Sequence, residues 1–221
     1  MKVICIVQAR MGSERLRGKV MREIKGMPMI AYTLNSLKKC RYVDEVVLAT
    51  SILAINDPLV EYAEDNGFEV FRGSEANVLE RFKEVSDKYE ADIIIRVTGD
   101  CPLINPIIVD NVLTKFLMYD YDYIRLDVPQ TFQRGFDTEI FSKDALDKVY
   151  EIVCKSQNLY NKEYDMYREH VTYYIYKHPE EFKIGYVKGE GKYFDDRDIN
   201  LSVDTIEDFE RVKAIIESSE V

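Results

Sequence analysis

Along the first half of the chain the apolar positions change period repeatedly, and each period predicts an element. Residues 3–7 (Val-Ile-Cys-Ile-Val) form a continuous apolar run, the pattern of a strand covered on both faces. Residues 45–50 and 93–97 repeat it, and 69–71 reads as a shorter strand. Between these runs the spacing is helical. One helix begins near Pro28, a residue suited to the first turn, and carries Ile30, Leu34 and Leu37 on one face. Residues 59–66, stopped by Gly67, and 78–89 read as two more. Strand and helix alternate, so the expected class is α/β, a mostly parallel sheet with helices on both faces. Ligands bind such sheets outside the carboxyl ends of the strands, where the loops after Val7 and Val97 both lie. Those two loops are expected to converge.

From about Asp120 the style changes. Residues 121–126 and 138–141 read as strands, 143–153 as a helix, 182–187 and 199–203 as late strands, and 206–216 as a closing amphipathic helix. Residues 119–176 hold ten of the sixteen tyrosines. Tyrosine offers contact area with a polar tip, so this segment fits an acceptor pocket or a subunit interface, and half-buried packing explains it equally well. No internal repeat or linker divides the chain. The expectation is one domain over 1–221, with about 119–195 as an acceptor or dimerisation subregion.

Composition narrows the partners. The net charge of −10 argues against broad binding to nucleic acid or to an anionic membrane, which both need clustered positive charge. Cys5, Cys40, Cys101 and Cys154 stand far apart with no Cys-x-x-Cys pair, as reduced thiols do. The opening apolar run is too short for a secretory signal and no stretch approaches a membrane span, so the expected location is the cytoplasm.

Against that acidic background, residues 9–19 place Arg10, Arg15, Arg17 and Lys19 with a single acid, Glu14, in one loop directly after the first strand. Gly12 and Gly18 let backbone N–H groups approach an anion closely, and clustered N–H groups make an anion-binding concavity. A polyphosphate fits this loop; a solvated basic loop is the alternative. It is not a Walker A loop, because five residues separate Gly12 from Gly18 and Val20 follows Lys19. There is no G-x-G-x-x-G dinucleotide fingerprint either.

Asp100 follows the strand 93–97, with Gly99 allowing a sharp turn, and Asp204 follows the run 199–203. A carboxylate at each of two strand ends suits magnesium, which takes one or two carboxylates together with waters and substrate phosphates. Capping of the last helix is the alternative for Asp204, a task Thr205 can share.

The loop Ala9 to Lys19, the turn Gly99-Asp100-Cys101-Pro102-Leu103-Ile104 and the late Val203-Asp204-Thr205 together resemble the cytidylyltransferase superfamily that makes CMP-activated acidic sugars. The resemblance is strongest to its spore-coat-polysaccharide branch. That branch also shows Phe71-Arg72-Gly73-Ser74, Val78-Leu79-x-Arg81, Gly135-Phe136-Asp137-x-Glu139 and Arg168-Glu169-His170-Val171-Thr172 in the same order. The match runs from about residue 3 to 214.

The resemblance implies a Rossmann-like nucleotidyltransferase (nucleotide-diphospho-sugar transferase) fold that transfers CMP from CTP to an acidic acceptor and releases pyrophosphate. It implies that Arg10 and Lys19 hold the triphosphate with Ala9, Gly12, Ser13 and Arg15 in the same loop. Asp100 and Asp204 become the Mg2+ carboxylates, and Arg72, Gly73 and Ser74 fall where base and ribose are read. A homodimer is expected by the same analogy. Two departures stand out: Arg17 and Ile206 occupy positions where most relatives carry proline.

For the acceptor, Asp137 and Glu139 alternate along an expected strand and point to one face, suited to hydroxyl or ammonium groups. Arg168 and His170 suit a carboxylate or phosphate, with a local ion-pair network as the alternative. A neutral His170 imidazole can accept a proton. His178, beside Pro179, reads as a surface residue. A glycosyltransferase is the alternative enzyme, although Pro102 stands where its Asp-x-Asp pair would place a second acid. A noncatalytic nucleotide-binding module is the third reading. Pyrophosphate release from CTP plus an acidic sugar separates the three.

Overall fold

The structure, a computed structural model, describes residues 1–155, 162–191, 197 and 199–218. β1 (Val3–Gln8) opens the chain, and after the basic loop a small hairpin of β2 (Glu23–Ile24) and β3 (Met27–Pro28) leads into α1 (Met29–Leu37). Pro28 closes β3 and caps the helix from outside rather than lying in its first turn. Then follow β4 (Glu45–Ser51), α2 (Asp57–Asp65), β5 (Glu69–Gly73), α3 (Val78–Lys88) and β6 (Ile93–Thr98). The second half adds α4 (Pro106–Met118), β7 (Tyr123–Leu126), β8 (Glu139–Ser142), α5 (Lys143–Cys154), α6 (Lys162–Glu169), α7 (Tyr173–Lys177), β9 (Ile184–Val187) and α8 (Ile206–Ser218).

Seven strands form one sheet in the order β5-β4-β1-β6-β8-β7-β9. β5, β4, β1 and β6 are parallel; β8 is antiparallel to both β6 and β7, and β9 runs parallel to β7. Residues 119–195 thus add three strands to the sheet begun by the first half. The chain leaves β1 toward β4 on one side and returns to β6 on the other, and this reversal opens the crevice in which such sheets bind ligands.

The continuous apolar runs are explained by two-sided burial. Val3, Cys5 and Val7 face a core layer with Ile30 and Leu34 of α1, Val109 and Val112 of α4, and Phe209 and Val212 of α8. Ile4 and Ile6 face the opposite layer, with Leu79 and Phe82 of α3, Val149 of α5 and Ile175 of α7. Most tyrosines of the second half serve this packing: Tyr167 lies edge-on to Tyr164 and Tyr174, with ring centroids 5.8 and 5.2 Å away.

Two sequence expectations need correction. Residues 199–203 are not a strand but a single bridge, Arg134 to Asn200. The Leu201 N–H donates to the Arg134 carbonyl but the next alternate donor, Val203 N–H, goes to the Asp100 carbonyl, so pairing with one neighbour does not continue. The periodicity reading also passed over α4, although Asn105-Pro106 marks its start: the Asn105 side chain accepts from Ile107 N–H at 2.9 Å.

Candidate active site

The expected convergence of the loops after β1 and β6 depends on one missing side chain. A Cβ on Gly99 would lie 2.7 Å from Ala9 Cβ and 2.8 Å from Ile30 Cδ1, and the Gly99 N–H donates to the Gln8 carbonyl at 2.9 Å. The basic loop then turns back on itself. Gly18, at φ 65°, donates its N–H to the Met11 carbonyl at 3.1 Å, and the buried Asn56 accepts from the Met11 N–H at 2.9 Å.

Lys19 is the centre of the site. Its side chain is buried, and Nζ donates to Asp100 Oδ2 at 2.8 Å, Asp204 Oδ1 at 3.0 Å and the Val203 carbonyl at 2.7 Å. Arg15 Nη2 lies 2.9 Å from the same Asp204 oxygen. The Val203 N–H donates to the Asp100 carbonyl at 2.8 Å, tying the two acid-bearing segments together. Burial opposes charge on Asp100, but Lys19 beside it outweighs this and holds its carboxyl below the ordinary value. Burial likewise opposes charge on Lys19, and the two aspartates raise its pKa nonetheless.

The capping alternative for Asp204 is resolved by its neighbours. Asp208 Oδ2 accepts from the Thr205 N–H at 3.0 Å, and the Asp208 N–H donates back to Thr205 Oγ1 at 3.3 Å. This reciprocal pair closes the start of α8, so the Asp204 carboxylate is left to Lys19 and Arg15.

A cavity of about 450 Å³ is bordered by Arg10, Ser13, Arg15, Lys19, Asp100 and Asp204. A second, of about 620 Å³, adjoins it through the shared Gln8, Arg10 and Glu169. Ala9, Glu75, Asn77 and Arg81 border this second cavity. Together they make a groove of the size that nucleotide-scale ligands use. Gly12 instead borders a separate cavity of about 520 Å³ with Arg17 and Ile55.

Sequence reasoning missed Glu75 and named Arg81 only within the Val78-Leu79-x-Arg81 block, without a role. Glu75 Oε1 accepts from Arg10 Nη1 at 2.6 Å. Arg81 is only 4% exposed; burial draws its pKa down to about 10, Nη1 donates to the Ser74 carbonyl at 2.6 Å, and Nε has no partner among the described residues. A signal existed, because Arg81 occupies the same helical face as Val78, Phe82 and Val85, a charge at a core register.

The structure places Arg72, Gly73 and Ser74 beside this groove rather than on its walls. Arg72 Nε donates to the Ser51 carbonyl at 3.2 Å, and Nη2 pairs with Asp57 Oδ1 at 2.8 Å. A Cβ on Gly73 would lie 3.0 Å from Glu84 Oε2, and Ser74 Oγ accepts from the Asn77 N–H at 3.0 Å. The three shape the turn that brings Glu75 and Asn77 to the cavity.

The four residues assigned to the acceptor do not form one pocket. Arg168 and His170 border the larger cavity beside Arg10, and Arg168 pairs with Asp165 at 3.0 Å, not with His170. Asp137 and Glu139 border a separate cavity of about 200 Å³. Asp137 precedes β8 instead of lying in it, and its carboxylate accepts from the Gly135 N–H at 2.8 Å. Burial raises its pKa. His178 is a further correction: it is half-buried and stacked on Tyr174 at 4.0 Å between centroids.

Comparison with known proteins gives an independent result. A family model described as cytidylyltransferase matches residues 4–220. The spore coat polysaccharide biosynthesis protein SpsF of Bacillus subtilis (strain 168) is 32% identical over 223 residues, covering 98% of this chain and 87% of that protein. Among solved structures, a cytidylyltransferase from Leptospira borgpetersenii serovar Hardjo-bovis (strain JB197) superposes with a TM-score of 0.89 at 34% identity, covering 100% of this chain and 89% of the other. A CMP:2-keto-3-deoxy-manno-octonic acid synthetase complexed with CTP gives a TM-score of 0.70 at 19% identity over 98% of this chain and 99% of that one, a likeness of fold.

Proposed function

We propose, from the premise that this chain belongs to the cytidylyltransferase family, that it transfers CMP from CTP to a small acidic acceptor and releases pyrophosphate, in surface polysaccharide or glycan biosynthesis. The observation that carries the reading is the meeting of Lys19, Asp100 and Asp204 at the crevice, with Arg10 and Arg15 on the same cavity.

Asp100 and Asp204 are the residues that would hold a magnesium ion. They offer hard carboxylate oxygens, and they already hold one cation, the Lys19 ammonium, between them. When bound, the ion would neutralise charge on the phosphate oxygens. The chain's own part is positioning and charge. In the proposed reaction an acceptor oxygen attacks the α-phosphorus of CTP and the bond to pyrophosphate breaks. Arg10, Arg15 and Lys19 stabilise the negative charge that develops, and no protein nucleophile is required. Arg10 meets the phosphates after exchanging its Glu75 partner for them. The larger cavity, beside Ala9 and Asn77, takes the nucleoside. A homodimer is part of the proposal and is checked by light scattering.

Pyrophosphate release is the test, with each nucleoside triphosphate screened against a panel of sugar acids and phosphonates. Release is expected with CTP and one acidic acceptor. Asp100→Ala is expected to lower turnover at least about 100-fold while leaving the urea midpoint near that of the unaltered protein. Near-normal turnover of Asp100→Ala in magnesium would falsify the assignment.

A further inference from the structure

The second half of the sheet carries a row of charge that the nucleotide site does not use. The strand register sets Arg96 of β6 opposite Glu139 of β8, Glu139 opposite Arg125 of β7, and Arg125 opposite Tyr186 of β9. Partners directly opposite in a sheet share a face, so two arginines flank one glutamate. The glutamate is fully engaged elsewhere. Its Oε2 accepts from Arg96 Nη1, and its Oε1 accepts from the Tyr123 hydroxyl at 2.5 Å and the Thr172 hydroxyl at 2.9 Å.

Arg125 is therefore left over. Among the described residues no hydrogen bond or ion pair engages its guanidinium, and its Nε is buried without an acceptor. Two aromatic rings hold the group in place: its central carbon lies 5.4 Å from the ring centroids of both Tyr176 and Tyr186. Contact with ring faces orients a guanidinium without consuming its N–H donors. A buried donor left unmade costs free energy, which a bound acceptor atom would recover. Arg125 and Tyr176 border the cavity of about 200 Å³, and so does Thr98, which also borders the cavity of Lys19 and Asp100. The cavity of Arg125 therefore adjoins that of Lys19 and Asp100 at Thr98.

We infer that Arg125 is the anchor for the anionic group of the acceptor, a carboxylate or a phosphonate, in the cavity between β6, β7 and β8. This rests on the cytidylyltransferase reading and moves anion recognition from Arg168, which Asp165 already neutralises, to a residue whose donors are unspent. Asp137, on the same cavity wall, then takes a hydroxyl or ammonium of the same molecule. The fork of guanidinium N–H donors matches either anion in bidentate fashion, whereas lysine would offer only a point charge.

The test is a proton NMR titration of the full chain, with CTP and magnesium present, using pyruvate as the carboxylate probe and methylphosphonate as the phosphonate probe. Each carries a methyl group whose signal reports binding. Saturable binding of at least one probe is expected, weakened at least tenfold in Arg125→Gln and restored in part by Arg125→Lys. The probe that binds more tightly identifies the anion. Arg125→Met, which keeps the stem between the tyrosines, supplies the same comparison should the glutamine variant fail to fold. No saturable binding of either probe, or equal affinity in the variants, overturns the inference. CTP titrated alone keeps the two readings apart. Loss of CTP binding by the unaltered protein counts against the proposed function, while intact CTP binding with an indifferent Arg125 counts only against the anchor.

Discussion

Around the nucleotide cavity the site's charges stand on loops, whereas where β6 meets the antiparallel β8 they sit inside the strands. Lys19 ends the basic loop, and Asp100 and Asp204 keep 24% and 29% of their side-chain surface exposed. Arg96 and Glu139 interrupt strands, and only 16% and 13% of their side chains reach solvent. The difference teaches where removal of a charge should register. A loop carboxylate such as Asp100 can be lost with little effect on packing, because Lys19 keeps Asp204 and the Val203 carbonyl. Among the described residues Glu139 is the one carboxylate paired with Arg96, so its loss falls on the fold first.

The largest expected effect follows from that contrast. Glu139→Ala leaves the Arg96 guanidinium buried and unpaired, and should destabilise the protein by about 3–5 kcal/mol in urea unfolding. If it costs no more stability than Asp100→Ala, the two halves do not differ as described. Gly99→Ala sharpens the picture on the parallel side, since its Cβ would press on Ala9 and Ile30. It should cost about 1–3 kcal/mol and weaken CTP binding, read from the urea midpoint and a CTP titration. An unchanged CTP affinity would show that the loops need not touch.

The smallest effect is in the acid limb of the stability profile. Asp100 and Glu139 both have depressed pKa values: burial opposes their charge, but Lys19 in one case and Arg96 in the other outweighs it. Each binds protons more weakly folded than unfolded. The stability they contribute is therefore present above the ordinary carboxylate range of about 4 and lost as pH falls through their lower folded values. Thermal midpoints measured from neutral pH downward should show Asp100→Asn losing less on acidification than the unaltered protein. Parallel curves would mean that the Lys19 pairing adds no pH-dependent stability.

Much of the parallel half was legible in the chain. Residues 3–7, 46–49 and 93–95 are apolar at every position, the pattern of a strand covered on both faces. The strand-end rule then brought the basic loop to Asp100, and Gly99 was the visible sign of a close approach. The antiparallel half was less legible. Residues 199–203 have a strand's composition, yet the Leu201 and Val203 N–H groups donate to different segments. Arg168 and Asp137 look like members of one site because both lie in the tyrosine-rich half, but different cavities receive them.

By itself the sequence determined the layered α/β architecture, the cationic loop at a strand end and the place of Asp100 after β6. These depend on local periodicity and on which residue follows a strand, and both can be read within a short window. Only the tertiary structure decided that one ammonium joins Asp100 to Asp204, that Glu75 holds Arg10, and that Arg125 Nε is buried without an acceptor among the described residues. Each of those outcomes depends on the register between strands and loops far apart in the chain. A shift of one residue turns a side chain to the opposite face, and no local pattern encodes which register the packed core will select.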